Sequence, residues 1–431
     1  MLQPRLALSW TAETPTRWVF KLRPGVRFHD GTPFSAADVA ATIALLRGPA
    51  VGTIVAAEVR GITNVTIVDD LTIALSTATP DAILPRRMNL IAIQSATRLD
   101  KVGWDAMTRA PVGTGPYEVT AMTPATVTLA AGMSWQPAKT QQLEIQSIPN
   151  GTARLQALLS QFVDLVQSVS SDDIGMLRDR GFKVVVTPQA QVLGIALPNM
   201  MQGPLQDARV RRALNLAVDR RAIAQNIFAG TVGPANQGAT PGTNGYHDGL
   251  PELTPDAAAA RQLLADAGYA DGFAISIYVV EGAGIDTLHA FEQVAQDLRR
   301  IGVRAQLQIL PIGEYTRRYA TASWSSGEAF SMLWNSAPLG DTARPLETFS
   351  CLRPNPFFCD EPTAALIAAS ARDLDPVRRA GELRTIMGRL QEIAPAIWIT
   401  NVAVVTAMRR EVEGFIQRPA GSAWENLSVA P

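Results

Sequence analysis

Residues 26 to 39 read VRFHDGTPFSAADV, placing His29 beside Asp30 with Gly31 behind them. A histidine next to a carboxylate is the beginning of a metal-ligand pair or of an acid–base dyad. Nothing in the sequence completes either. The other histidines, His247 and His289, stand at no ligand spacing, and no second carboxylate pair lies close to His29. The two cysteines, Cys351 and Cys359, sit in SCLRPNPFFCDE, too few for a zinc site, so neither a metal nor a cofactor is expected. Seven residues separate the two thiols, and two of the seven are proline. The thiols can therefore close a small ring, and from the residues alone a pair of unrelated thiols reads equally well. There is no G-x-S-x-G elbow, no G-x-x-x-x-G-K-[ST] loop, no H-E-x-x-H pair and no G-x-G-x-x-G turn. GTGPY at 113–117 shares two glycines with phosphate loops, but it has no lysine and runs directly into strand-like YEVT.

The surrounding elements give His29 and Asp30 an architectural reading. Trp18, Phe20 and Leu22 alternate with polar or smaller neighbours and lead to Pro24-Gly25, a turn from which a hairpin is expected. Val65 and Ile67 are separated by Asp69-Asp70 from Leu71, Ile73 and Leu75, which predicts a second hairpin. Asp30-Gly31 then closes the strand ending at Phe28, and Ser35 caps a helix with Asp38 as the acidic member of a capping box. From about residue 200, helices alternate with strands. Asp207 caps a helix carrying Val210, Ala213, Leu214 and Ala217, and Asp219 starts a second that stops at Gly230. Thr254 is expected to cap a third helix, followed by the strand FAISIYVV, a helix with Phe291, Val294, Ala295 and Leu298, and the strand VRAQLQIL. Strands alternating with helices predict an α/β sheet with crossover connections.

Composition narrows the function. Of 431 residues, 47% are apolar, and 38 Lys plus Arg balance 39 Asp plus Glu, so no polyanionic partner such as nucleic acid is indicated. No apolar run approaches the roughly 18 residues of a membrane-spanning helix. The N-terminus lacks the basic flank and apolar core of an export signal. With no reaction motif in view, a binding protein is the favoured class.

Several phrases, in order, resemble family 5 of the solute-binding proteins that serve peptide and nickel ABC importers. They are LQPRLALSW, VFKLRPGVRFHDGTPFSAADV, APVGTGPYEV, RLQALLSQFVDLVQSV, PLQDARVRRALNLAVDRRAIAQNIFAGTVGPA, ADAGYADGF, CDEPTAALI and EIAPAIWI, and together they cover nearly the whole chain. The resemblance implies an α/β, bilobal, periplasmic-binding-protein-like fold of the type II, three-subdomain kind, with mixed sheets and a hinge between lobes. The expected divisions are a β-rich subdomain at 1–108, a core subdomain at 109–198 plus 405–431, and a second α/β lobe at 199–404. It also implies a monomeric, non-enzymatic periplasmic protein that hands a peptide or similar solute to the permease subunits, and export favours a Cys351–Cys359 disulfide. The match begins at Leu2, ahead of which family members usually carry a signal peptide and the first strands of the lobe holding both termini. A misassigned start, a fragment and a true truncation all fit that departure.

Within the family the best-matched contact segment is MLWNSAPLGDTARPLETFSC. Trp334, with Asn335 beside it, takes the place of a cleft tryptophan, and Asp341 stands near the aspartate that holds a peptide's α-amino group. Peptide binders commonly repeat Gly-Asp and Asp-Pro pairs here, whereas this chain has one GD followed by Thr342, Ala343 and Arg344. Tyr246, in the glycine-rich TPGTNGYHDG, is a candidate to line the cleft, and Arg86 and Arg87 are candidates to hold an anionic metal chelate, as arginines do in nickel-binding relatives. The alternatives are therefore a nickel or metal-chelate binder of the same family and, from other classes, a hydrolase using His29 and Asp30 or a ligand-sensing adaptor.

Overall fold

The strand-and-turn pattern of the first part of the chain folds as an antiparallel sheet. A computed structural model describes residues 2–48, 54–132, 134–418 and 421–430. It divides into two compact units, one of Met1–Ile148, Ala371–Asp375 and Glu411–Pro431, the other of Pro149–Ser370 and Pro376–Arg410.

In the first unit, β1 (Ala7–Thr14), β2 (Arg17–Leu22), β3 (Ile62–Asp69) and β4 (Thr72–Thr77) form a sheet in the order β1-β2-β4-β3. Phe20, Leu22, Ile73 and Leu75 bury one face against the helix Ala36–Arg47. The β3–β4 hairpin forms as expected, with the Asp69 side chain accepting from the Leu71 amide. The hairpin expected across Pro24-Gly25 does not form. Gly25 makes its turn at φ +73°, but β2 pairs with β1 and β4, and residues 26–28 fold back on 32–34 instead. Both turns obey local rules; the neighbouring strands decide which pairing wins. Asp30-Gly31 is that tighter turn, with Gly31 at φ +82°, and Ser35 and Asp38 complete the capping box. A second, three-stranded sheet comprises β5 (Tyr117–Met122), β6 (Thr126–Ala131) and β7 (Gln142–Gln146).

His29 ties these parts together. Its Nδ1 accepts from the Gly113 amide at 3.3 Å, and its Nε2 meets the Gly115 carbonyl at 2.9 Å. One neutral tautomer, protonated on Nε2, satisfies both contacts. The glycines of GTGPY thus serve as the histidine's partners, and the ring fastens this loop to the Asp30-Gly31 turn.

The second unit centres on a six-stranded sheet in the order β11-β10-β12-β9-β13-β8, from β8 (Leu165–Gln167), β9 (Lys183–Ala196), β10 (Phe273–Val280), β11 (Val303–Leu310), β12 (Glu328–Asn335) and β13 (Ala396–Met408). β10 runs parallel to β11 and β12, while β9 is antiparallel to β12 and β13. Period-two alternation sends successive residues to two cores. Leu193, Ile195, Ile397 and Ile399 meet the helices Ala208–Ala217, Ala257–Asp266 and Ile285–Arg299, while Val192, Ala196, Ala396 and Trp398 face Trp334, Phe349 and the helix Pro376–Ile393. Asp207 and Asp219 cap their helices as expected. The third cap is Asp256, not Thr254: its side chain accepts from the Ala259 amide at 2.9 Å, and Pro255 stands before the helix. An aspartate directly ahead of a run of alanines presents the stronger acceptor.

Two arginines pin the sheet from inside. Arg211 donates to the carbonyls of Leu205, Gln206 and Ile393, and Arg220 to those of Trp398, Asn215 and Val218 and to the Asn215 side chain.

Candidate functional site

In an open α/β sheet, ligands sit outside the carboxyl ends of the strands, where crossovers diverge. Here the chain leaves β10 for β11 on one side and returns from β11 to β12 on the other, which makes the end of β10 that point. The carboxyl ends carry residues 281–284, with Gly282 and Gly284 at φ +83° and +86°, then Pro311, then the segment 336–341 after β12. Glu281 is exposed there.

The end of β12 and the segment after it carry three expected site residues, none of them fully exposed. Trp334 has no exposed surface; it stacks on Phe349 with centroids 4.1 Å apart and meets Trp398 edge-on at 5.7 Å. Gly238 passes so close that a Cβ there would lie 2.1 Å from the indole ring. Asn335 is half-buried, and its side-chain oxygen accepts from the Ala337 amide. Asp341 was expected to offer a free carboxylate; instead it is half of a buried ion pair. Arg379 grips it with two bonds of 2.6 and 2.9 Å, Asn244 adds a third at 2.8 Å and the Ala343 amide a fourth at 2.9 Å. Burial alone would raise its pKa, but the Arg379 bonds and charge, helped by Asn244, hold it below the usual carboxylate value. A ligand's ammonium has no lone pair left to approach. The charge is spent on fixing the 240–246 loop to the helix Pro376–Ile393, and the Asn244 backbone pairs alongside, its amide donating to the Gly340 carbonyl and its carbonyl accepting from the Thr342 amide.

Tyr246, half-buried, lines a cavity of about 220 Å³ with Arg220, Asn236, Asp248, Leu250 and Glu252. That is smaller than the roughly 300–1,000 Å³ of typical small-molecule sites. Arg86 and Arg87 lie in the other unit, on the short helix Leu84–Met88. Arg87 is held by Glu58 at 2.9 Å and Asp81 at 3.2 Å, so its charge serves the local packing. The structure thus brings Trp334, Asn335, Asp341 and Tyr246 into one unit and leaves the arginine pair in the other. Sequence reasoning missed Arg379 and Asn244. Arg379 carried a signal: it lies on the apolar stripe continued by Leu383, Ile386, Met387 and Leu390, where an unpaired charge is not tolerated.

Cys351 and Cys359 are bonded to each other. Their loop buries Phe357 and Phe358 and is clamped by Asn199, whose side-chain amide donates to the Cys359 carbonyl and accepts from the Cys359 amide. Replacing both cysteines by serine is expected to lower stability by about 2–3 kcal/mol, the loop-closure value for so short a ring. Urea denaturation checks this; a reductant should shift the native midpoint equally and leave the serine variant unmoved.

The sequence profile described as bacterial extracellular solute-binding proteins, family 5 Middle, matches residues 1–353. The chain belongs to this family. Among curated relatives, the dipeptide-binding protein of Escherichia coli (strain K12) is 26% identical over 470 residues, covering 99% of this chain and 86% of that protein. The glutathione-binding protein GsiB of the same strain is 24% identical over 452 residues, covering 98% and 85%. Among solved structures, the periplasmic binding protein DppA from Helicobacter pylori, in complex with peptide STSA, superposes with a TM-score of 0.85 at 20% identity, covering 100% of this chain and 90% of that one. NikZ from Campylobacter jejuni, in complex with Ni(L-His), gives 0.86 at 19% identity, covering 99% and 91%. The expected α/β periplasmic-binding-protein fold is therefore the fold of this family 5 protein. Among its described residues no helix is long and apolar enough to cross a membrane.

Proposed function

We propose that this chain is the extracytoplasmic solute-binding component of an ABC importer, taking a peptide or similar small solute by contacts alone and delivering it to the permease. The observation that carries the reading is the family match over residues 1–353, supported by curated relatives named for dipeptides and glutathione. Because Asp341 is committed to Arg379, the open carboxylate best placed for a solute's amine is Glu281, exposed at the end of β10.

Titration calorimetry with di- and tripeptides, set against a nickel–histidine complex, tests this. Peptides are expected to bind, and Glu281→Gln to weaken them about fivefold, as for a partly solvated ion pair. Binding of the nickel complex alone would replace this reading with the metal-chelate one, which the likeness to NikZ favours as the second choice. Peptide binding unchanged by Glu281→Gln would remove that residue from the site.

A further inference from the structure

β9 and β13 outrun the sheet that contains them. Residues 191–196 of β9 are covered by β12 on one side, and β13 pairs with β9 along its whole length, but residues 183–189 and 402–408 pair with each other and, at their far end, with β8. Pairing slips between Trp398 and Thr400 and again between Asn401 and Val402, at the border between these halves. Such irregularities bend and twist a two-stranded ribbon. Beyond the border lies a separate small core of Leu158, Val166, Leu177 and Ala407, which shares no residue with the two cores of the main sheet. A small body is thus carried on an irregular ribbon at the edge of a larger one.

Away from the ribbon, one side chain reaches across. Asp286, in the first turn of the helix Ile285–Arg299, accepts from the Ser170 hydroxyl at 2.9 Å through one oxygen and from the Ser171 amide at 3.1 Å through the other. Ser170 and Ser171 follow β8 in the small body, and Asp286 follows the glycine-rich turn after β10, the point at which the sheet topology places a ligand. Asp172 and Asp173 stand beside the contact. Burial, then the charges of Asp172 and Asp286, push the Asp173 carboxyl upward, so repulsion opposes the contact that the two hydrogen bonds make.

We propose that Asp286 is a positioning residue, a latch that holds the small body against the carboxyl end of β10 and so sets how tightly a solute there is retained. This rests on the solute-binding reading for its consequence but not for its test. Spin labels introduced as Gln156→Cys and Gln296→Cys, both exposed, report the separation of the two bodies by electron–electron double resonance on the full chain. A narrow distance distribution is expected for the parent, a broader and longer one for Asp286→Ala, and near-parental behaviour for Asp286→Asn, which keeps an acceptor. Amide exchange at Ser171 should accelerate about tenfold in Asp286→Ala, the loss expected for a hydrogen bond to a charged group. Ser170→Ala, which leaves the helix untouched, should move the distance in the same direction by less. If Asp286→Ala and Ser170→Ala both superpose on the parent, the latch is overturned and the solute-binding reading stands. If the distances shift but neither peptide nor nickel–histidine binds the parent, the latch stands and that reading falls.

Discussion

Asp341→Asn is expected to unfold the second unit more easily and to leave no selective mark on peptide binding. The substitution strips Arg379 of its counter-charge in a site where the aspartate has no exposed surface and the arginine side chain is 5% exposed. Breaking a buried pair from one side costs about 3–5 kcal/mol, because the orphaned guanidinium has no water to turn to. For a unit of this size that corresponds to a fall in melting temperature of roughly 10 °C. Arg379→Met should do comparable damage, whereas the double change Asp341→Leu with Arg379→Met should be milder than the sum of the two. The pH dependence has a definite sign. The folded pKa of Asp341 lies below its unfolded value, so the pair's contribution is fully present above the unfolded pKa and is lost as pH falls through the folded one. Thermal melts of the three variants, with calorimetry on the same samples, decide between roles. A selective loss of peptide affinity at an unchanged melting temperature would restore Asp341 as an amine anchor.

This pair also marks the limit of what the sequence discloses. Caps and stripes were legible because their partners lie within one turn: Asp207 and Asp219 each bond an amide two or three residues on. So were the strand faces of FAISIYVV and VRAQLQIL, which need only alternation. Asp341 and Arg379 are 38 residues apart, and Asn244 is 97 residues from Asp341, so the identity of the partners belongs to the assembled core. His29 followed the same logic in reverse. Its neighbour Asp30 invited a chemical reading, while the groups it bonds, Gly113 and Gly115, lie 84 and 86 residues away. The hairpin at Pro24-Gly25 failed for a related reason: turn residues permit a reversal, and competition among β1, β4 and the following segment decides what pairs across it. Family phrases supplied the fold, but the charge in the contact segment is placed by tertiary contacts that the phrases do not encode.

Arg220 carries the other large expectation, sharpened by its neighbour. Arg220 and Arg221 are adjacent on one helix, yet Arg220 is 3% exposed, while the Arg221 side chain is 72% exposed and meets Glu252 at the surface. Burial pushes the Arg220 pKa down to about 9, against the pull of Asp219 and Asp297, so the guanidinium remains charged at neutral pH. Its bonds run to the carbonyls of Trp398, Asn215 and Val218 and to the Asn215 side chain, joining β13 to two helices. Arg220→Met takes the arginine donor from the Trp398 carbonyl and the Asn215 side-chain oxygen, while the Asn215 and Val218 carbonyls keep the backbone amides of Val218 and Arg220; at about 1–3 kcal/mol for each orphaned acceptor, the loss is a large part of an ordinary domain's stability. Arg220→Lys keeps the charge but cannot reproduce the fork, and should recover only part of the loss. Arg221→Met, one residue along, should stay within about 0.5 kcal/mol of the parent. Urea midpoints for the three variants read this directly. If Arg220→Met and Arg221→Met denature together, the buried fork is not what holds β13 to its helices.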